Sequence, residues 1–322
     1  MERLMSTNPF DPALFRPDAV SAETRAFNET LAAQMKGQPK PWERPPAPDG
    51  KPAERMFAAP SSPRAKKMVA EVKGRPSVEL HVVAPDNPRG VYLHIHGGGL
   101  IMGSAADQDP MLERIMNATG LACASVEYRL APVHPYPEGW DDCETAALWL
   151  AKNAKSVFGS DWLAIGGESA GATLSVPTLV RMRDKHGFTG FKAANLSYGN
   201  YDTTMTPSQK WIGEESFFLQ TKDIQFCTER YAPNPAVRRD PDMSALYANL
   251  KSLPPALFTV GTLDAFLDDS LFVYARWIAA GNAAELAVYP GGIHGFNMFP
   301  YAIAGEANAR IDAFLKRELA KT

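Results

Sequence analysis

One pentapeptide constrains the fold of this chain more than any other feature: residues 167–171 read Gly-Glu-Ser-Ala-Gly. The apolar residues 162–165 before it are typical of a buried strand, and residues 172–176 after it suit the start of a packed helix. In such a strand–turn–helix, Ser169 adopts a strained backbone conformation that lifts its hydroxyl clear of the sheet. Glycine is favoured on both sides because neighbouring backbone crowds those positions. Ordinary glycine–serine turns also contain this pattern, so it needs support from elsewhere in the chain.

A second glycine-rich segment, residues 96–99 (His-Gly-Gly-Gly), directly follows the strand-like residues 91–95. Three consecutive glycines cost backbone entropy, and they make sense where the backbone must approach a ligand and direct its N–H groups at it. Preorganised N–H donors stabilise the oxyanion that forms during acyl transfer. We predict that Gly97 and Gly98 supply two such donors and that Ala170, directly after the serine, supplies the third. The alternative is a flexible loop, which the position directly after a strand disfavours.

An aspartate and a histidine after two later strand-like segments complete a catalytic constellation. Asp264 ends the mostly apolar residues 257–263, and His294 lies in a glycine-rich loop after residues 286–290. The chain order of serine, aspartate and histidine is that of the α/β-hydrolase fold and differs from the order in the chymotrypsin and subtilisin architectures. The histidine would take the proton of the Ser169 hydroxyl, and the carboxylate would orient the imidazole.

Other residues compete for the roles of base and acid. Of the six histidines, His294 alone follows the acid in a late glycine-rich loop, and we expect His96 to brace the loop in which it lies. Asp264 is favoured as the acid because it directly ends a strand. The other candidates for the acid are Asp268, Asp269 and Asp202. Asp268 comes one helical turn later and could instead cap the following helix.

Five short motifs stand in a characteristic order along the chain. They are His-Gly-Gly-Gly at residues 96–99, Tyr-Arg-Leu-Ala-Pro at 128–132, Gly-Glu-Ser-Ala-Gly-Ala at 167–172, an Asp-Ala-Phe-Leu-Asp block at 264–268 and His-Gly-Phe at 294–296. In that order they resemble the motifs of the hormone-sensitive-lipase-like carboxylesterases, family IV of the bacterial lipolytic enzymes. The resemblance runs from about residue 75 to the C-terminus. It implies an α/β-hydrolase fold, with a mainly parallel central sheet flanked by helices and a helical cap, and the same nucleophile, acid, base and oxyanion-hole donors as above.

Four departures from the family pattern leave every catalytic atom in place. Glu168 stands where the family more often has Asp, and Ala172 replaces its last glycine. Residues 265–266, Ala-Phe, replace Pro-Leu, and His134 stands where the family tends to have an acidic residue. We expect the Glu168 carboxylate to contact a neighbouring loop and the departures as a group to affect substrate specificity.

Composition is typical of a soluble enzyme. The 322 residues are 45% hydrophobic, enough for a sizeable core, and the formal net charge is −3. So mild a charge gives no reason to expect nucleic acid or an anionic membrane as a partner. The cysteines Cys123, Cys143 and Cys227 are far apart and odd in number, which predicts reduced thiols rather than a disulfide framework or a zinc site. Without a leader pattern or an apolar run near ~18 residues, we predict a cytoplasmic location.

The chain divides into a core and two additions. Residues 1–65 are predicted to be helical over Ser21 to Lys36 and to contain a proline-rich linker, and the resemblance implies that they form an N-terminal cap segment. Residues 66–200 and 246–322 form the predicted core, where strands and helices alternate. Residues 201–245 interrupt the alternation, and the resemblance implies that they form a cap insertion. The aromatic residues that we expect to line a substrate pocket beneath the cap are Phe27, Trp42, Trp211, Phe217 and Phe218.

The motifs and the resemblance together predict hydrolysis of short- to medium-chain acyl esters through an acyl-enzyme intermediate. The substrate would be a small-molecule ester, and neither a metal nor another cofactor is required. An amidase or acetyl-sugar deacetylase with the same triad, a non-catalytic ligand receptor of this fold and an interfacial lipase are the alternatives, since a fold does not determine a substrate. The apolar residues 286–289 are compatible with a homodimer formed by pairing of edge strands.

Overall fold

Parallel strands buried on both faces dominate the core. A computed structural model describes residues 10–40, 43 and 62–321. Its strands are β1 Ala65–Ala70, β2 Val78–Val83, β3 Val91–Ile95, β4 Ala122–Val126, β5 Leu163–Glu168, β6 Phe191–Ser197, β7 Ala256–Leu263 and β8 Ala284–Ile293. Every residue of β3, β4 and β5 is buried, which explains why apolar and small residues predominate on both faces of these strands.

The strands form one sheet in the order β1-β2-β4-β3-β5-β6-β7-β8. Strands β3 to β8 are parallel to one another, whereas β2 pairs antiparallel with both β1 and β4. This confirms the predicted mainly parallel sheet. Since the carboxyl ends of parallel strands meet at one edge, residues that follow β3, β5, β7 and β8 are brought to the same side of the molecule.

Helices cover the sheet and extend beyond it. They are α1 Ala22–Met35, α2 Asp109–Thr119, α3 Glu138–Phe158, α4 Ala170–His186, α5 Pro207–Glu215, α6 Thr221–Tyr231, α7 Leu267–Ala279 and α8 Ala302–Leu319. The predicted N-terminal helix is confirmed, and it begins after Ser21, whose hydroxyl accepts a hydrogen bond from the Thr24 N–H at 3.1 Å. Among the residues described, no helix has the length and apolar character needed to cross a membrane.

Aromatic side chains fill the space between the sheet and the helix α7. Phe258 on β7 and Trp277 on α7 are both fully buried, and their rings pack edge to face at 5.6 Å. The Trp277 indole N–H also donates to the carbonyl of Pro254 at 3.1 Å, so its polar atom is satisfied inside the core. Helix α7 is thereby held firmly against β7, the strand that leads into Asp264.

Helices α5 and α6 lie in the segment predicted to be an insertion. They contact each other, and the Thr221 hydroxyl at the start of α6 donates to the carbonyl of Gln209 in α5 at 2.7 Å. The segment is anchored to the core through Asp269 of α7, whose carboxylate accepts hydrogen bonds from the backbone N–H groups of Tyr201 and Asp202 at 2.7 and 2.9 Å. Residues 201–245 therefore start from a fixed point on the sheet-and-helix core.

Candidate active site

The serine of the pentapeptide sits at a sharp turn between β5 and α4. Ser169 has φ 55° and ψ −117°, a conformation that residues other than glycine rarely adopt. A Cβ atom at Gly167 would lie 2.0 Å from the carbonyl oxygen of Ile95, and one at Gly171 would lie 1.8 Å from the same oxygen. Both flanking glycines are thus required by the close approach of β3 to this turn.

Ser169, His294 and Asp264 lie in one hydrogen-bonded row. Nε2 of His294 is 2.8 Å from the Ser169 hydroxyl, and Nδ1 is 3.0 Å from each carboxylate oxygen of Asp264. Asp264 is fully buried, and its Oδ1 also accepts from the Phe266 N–H at 2.9 Å. This is the geometry of a nucleophile, a general base and a carboxylate that orients the base.

The three competing aspartates are occupied elsewhere. Asp268 accepts a hydrogen bond from the Ser208 N–H at 2.8 Å, and Asp202 accepts one from the Tyr247 hydroxyl at 2.8 Å. Asp269 is buried and faces the start of the insertion. Asp264 is therefore the carboxylate that the fold brings to His294.

Two aromatic rings hold the imidazole of His294. Phe266 belongs to the Asp-Ala-Phe-Leu-Asp block, whereas no motif indicated Tyr198. Tyr198 packs edge to face at 5.0 Å, and Phe266 does so at 5.2 Å. Tyr198 directly follows β6, so its position at the carboxyl edge of the sheet was the available signal. Burial raises the pKa of the Tyr198 hydroxyl well above its ordinary value, and the charges of Glu168 and Asp264 add to that effect.

The glycine-rich loop after β3 packs directly on the serine turn. A Cβ at Gly97 would lie 2.9 Å from the carbonyl oxygen of Glu168, and one at Gly98, where φ is 119°, would lie 2.1 Å from the Met102 oxygen. His96 braces the loop, as expected, because its Nδ1 donates to the Gly97 carbonyl at 2.7 Å. Its ring stacks on Tyr128 at 4.2 Å, which brings the Tyr-Arg-Leu-Ala-Pro motif into contact with the loop.

Helix α6 reaches this loop from the other side. A Cβ at Gly99, where φ is 62°, would lie 2.8 Å from Sγ of Cys227. Asp223 at the start of the same helix is buried, and burial raises the pKa of its carboxyl while the charges of Lys40 and His294 oppose that rise. Helix α6 is therefore close to both the loop and the histidine.

The aromatic residues predicted to line a pocket have different positions. Phe27 stacks on Tyr301 at 4.2 Å and lies 5.6 Å from Phe299, whose ring also meets Phe218 at 5.6 Å. An added Cβ at Gly295, next to His294, would lie 4.0 Å from the Phe218 ring. The carbonyl of Phe217 accepts from Nζ of Lys40 at 3.4 Å. Phe27 and Phe218 thus belong to an aromatic cluster beside the histidine loop.

Trp211, also predicted to line the pocket, is at the surface instead. It lies on α5 and is 72% exposed, which its aromatic character did not indicate. Trp42 lies outside the described residues. In the same described part of the chain, no group of three or more His, Cys, Asp or Glu side chains is arranged to hold a metal ion.

Glu168 contacts a strand rather than the loop that we expected. Its Oε2 lies 2.9 Å from Nε2 of His94, which is on β3. At another position that departs from the family pattern, Nδ1 of His134 lies 2.8 Å from Oε2 of Glu138. The carboxylate next to the nucleophile therefore faces the core beneath the site.

Comparison with known proteins places the chain in a family. Residues 92–298 match the profile of a protein family that is described as having the alpha/beta hydrolase fold. The chain belongs to this family. It is similar to a hyperthermophilic esterase from the archaeon Pyrobaculum calidifontis, with 26% identity over 96% of this chain and 99% of that one, and a TM-score of 0.74.

Two further solved structures from metagenomic libraries are similar. One is a thermostable carboxylesterase, with 25% identity over 94% of this chain and 99% of that one, and a TM-score of 0.74. The other is named a hormone-sensitive lipase, with 24% identity over 92% and 98% of the two chains and a TM-score of 0.76, a likeness of fold. The resemblance to hormone-sensitive-lipase-like carboxylesterases and the predicted enzyme class, a serine ester hydrolase, are confirmed at this level.

Proposed function

We propose that this α/β hydrolase cleaves carboxylic esters through an acyl-enzyme on Ser169. The observation that carries the proposal is the row in which Nε2 of His294 meets the Ser169 hydroxyl at 2.8 Å while Nδ1 meets Asp264 at 3.0 Å. Structural neighbours named esterase and carboxylesterase, at 25–26% identity, support the same reaction.

The triad and the oxyanion-hole donors have separate roles in the first step of the proposed reaction. The Ser169 oxygen attacks the ester carbonyl carbon while His294 takes the hydroxyl proton, and Asp264 stabilises the imidazolium that results. The backbone N–H groups of Gly97, Gly98 and Ala170 hold the oxyanion of the tetrahedral intermediate.

Collapse of that intermediate and a second half-reaction complete the turnover. The carbon–oxygen bond to the alcohol breaks, and His294 gives its proton to the departing alkoxide, which leaves an acyl group on Ser169. Water then attacks the acyl-enzyme while the same histidine takes a proton from it. The carboxylic acid is released and the serine hydroxyl is restored, so the cycle needs no cofactor.

We propose that a cap lies over the serine and limits the space for the acyl chain, and we therefore propose short- to medium-chain esters as substrates. The cap comprises residues 201–245, with α5 and α6, and the N-terminal segment that contains α1. The aromatic cluster of Phe27, Phe218 and Phe299 beside the histidine loop supports an apolar acyl or alcohol pocket. Because β8 ends the sheet on one side, the same structure supports edge pairing in a homodimer.

A series of p-nitrophenyl esters from acetate to palmitate tests the proposal. We expect activity to peak at short or medium chains and to disappear in Ser169→Ala, while Ser156→Ala, which changes an exposed serine on α3, keeps wild-type activity. A peak at the longest esters would favour a lipase.

The matched p-nitroanilides, which carry the same acyl groups, test the competing amidase assignment. We expect ester turnover to exceed amide turnover for each acyl group. If none of the esters shows turnover that depends on Ser169, the proposed ester hydrolase activity is refuted.

A further inference from the structure

Beneath the serine turn, three buried polar side chains form a hydrogen-bonded chain across three strands. Oε2 of Glu168 on β5 lies 2.9 Å from Nε2 of His94 on β3, and Nδ1 of His94 lies 2.8 Å from the hydroxyl of Ser125 on β4. His94 and Ser125 are fully buried, and Glu168 is 3% exposed. We call these residues the Glu168–His94–Ser125 chain.

The chain connects the two backbone segments on which the proposed chemistry depends. Glu168 directly precedes Ser169, and His94 lies on the strand that runs into the glycine-rich loop. In the sheet, His94 is opposite Ser125 on one side and Gly166 on the other. The Glu168–His94 bond therefore joins the strand that carries the nucleophile to the strand that carries the oxyanion loop.

Packing alone does not account for these residue types. A buried carboxylate is costly unless it is paired and hydrogen-bonded, and apolar side chains of similar size could fill the same space. Within the described residues, Oε1 of Glu168 has no hydrogen-bond partner, so part of that cost is not offset. A polar group that is retained at such a cost directly beside the nucleophile points to a role at the site.

The contact between the two segments is also tight on the backbone side. A Cβ at Gly97 would lie 2.9 Å from the Glu168 carbonyl oxygen, so a small displacement of β5 relative to β3 moves Ser169 relative to the oxyanion loop. A misplacement of about 1 Å can cost about a hundredfold in rate. Tyr198, whose ring packs on His294, has the pKa of its hydroxyl raised mainly by burial and further by the charge of Glu168.

We propose that the Glu168–His94–Ser125 chain holds the serine turn and the oxyanion loop in register, with Glu168 as its positioning residue. The inference rests on the proposed ester hydrolysis, since it concerns the same nucleophile and the same oxyanion. Glu168 acts through its hydrogen bond to His94 and takes no part in the covalent steps.

Two substitutions at Glu168 separate positioning from bulk. Glu168→Leu keeps a side chain of comparable size and removes the acceptor for His94. Glu168→Gln restores an oxygen acceptor at the same place. His81→Leu is the matched control, because His81 and Asp109 form a similar buried pair, 2.5 Å apart, on β2 and α2.

For each variant, kcat and KM are measured on p-nitrophenyl butyrate, and the concentration of active sites is determined by titration with a fluorophosphonate. The midpoint of thermal unfolding of each variant is measured as well. We expect Glu168→Leu to lower kcat about ten- to a hundredfold with KM within about threefold, as for a misplaced transition-state donor. Glu168→Gln should recover kcat to within about threefold of wild type, and His81→Leu should keep wild-type kcat at a lower thermal midpoint. If Glu168→Leu does not fold, Ser125→Ala takes its place, with an expected fall in kcat of at least about threefold.

The outcomes separate this inference from the proposed function. A wild-type protein without Ser169-dependent turnover overturns the ester hydrolase itself. If that turnover is present, a kcat of Glu168→Leu within twofold of wild type overturns the positioning role. Where Glu168→Leu does not fold, the same result for Ser125→Ala overturns it. The positioning role is also overturned if kcat is as low in Glu168→Gln as in Glu168→Leu, or if His81→Leu lowers kcat to the same extent.

Discussion

The buried carboxyl of Asp269 predicts that part of the stability of this protein is lost as pH rises toward neutrality. Asp269 is fully buried, and its oxygens accept hydrogen bonds from the N–H groups of Tyr201 and Asp202. They also accept from the side chains of Thr206 and Gln209 at 2.7 and 2.9 Å. Burial raises the pKa of this carboxyl to about 7, although the hydrogen bonds oppose the rise.

The sign and the size of the effect follow from proton linkage. In the unfolded chain the pKa of an aspartate is about 3.9, so between about pH 4 and about pH 7 the folded protein holds a proton that the unfolded chain has released. The contribution is therefore fully present below about pH 4 and is lost as pH rises through 7. Each unit of difference in pKa corresponds to about 1.4 kcal/mol, which gives roughly 4 kcal/mol in total as an upper limit.

Urea unfolding between pH 4 and pH 8 measures this contribution. Asn at position 269 has the size of Asp and cannot titrate, so we expect the free energy of unfolding of Asp269→Asn to lack the pH dependence that Asp269 causes. The free energy of unfolding of the wild type minus that of the variant should then fall by up to about 4 kcal/mol as pH rises from 4 to 8. Asp268→Asn, on the same helix but only half-buried, is the matched control. A wild-type stability that rises with pH relative to Asp269→Asn would show that the four hydrogen bonds outweigh burial and would refute the reasoning.

Two further substitutions test the site and its contact with helix α6. Asp264→Asn should lower kcat on p-nitrophenyl esters by about ten-thousandfold, because the amide no longer orients and stabilises the imidazolium; a loss below about tenfold would contradict the assignment. Gly99→Ala should destabilise the protein by about 1–2 kcal/mol in thermal or urea unfolding, since its φ is 62° and the new Cβ would lie 2.8 Å from Sγ of Cys227. The loss should be smaller in a Cys227→Ala background, and an equal loss in both would exclude the contact with Cys227 as a cause.

The fold and the proposed triad could be predicted because their signals are local. Buried parallel strands give continuous apolar segments, and residues that follow such strands meet at one edge of the sheet, so Ser169, Asp264 and His294 could be brought together from chain order alone. The choice of Asp264 over Asp268 as the acid also depended on local sequence, since only Asp264 directly follows the strand-like residues.

Features that depend on contacts between distant segments could not be predicted in the same way. The partner of Glu168 is His94, and that pairing depends on the register between β5 and β3, which the sequence of neither strand reveals. The surface position of Trp211 follows from the orientation of α5 on the core, and its aromatic character alone suggested burial. The packing of Tyr198 on His294 likewise requires β6 to be placed between β5 and β7.

The carboxyl end of β3 links these observations. The carbonyl oxygen of Ile95 faces both Gly167 and Gly171, and the next residues lead into the loop that packs on Glu168 through Gly97. Gly97 of one motif and Gly167 and Gly171 of the other are thus required by one close approach between β3 and the serine turn. Because any Cβ in this contact would push the strand and the turn apart, it would displace the nucleophile and the oxyanion loop together. The two motifs therefore act as a single structural unit, although more than sixty residues separate them in the chain.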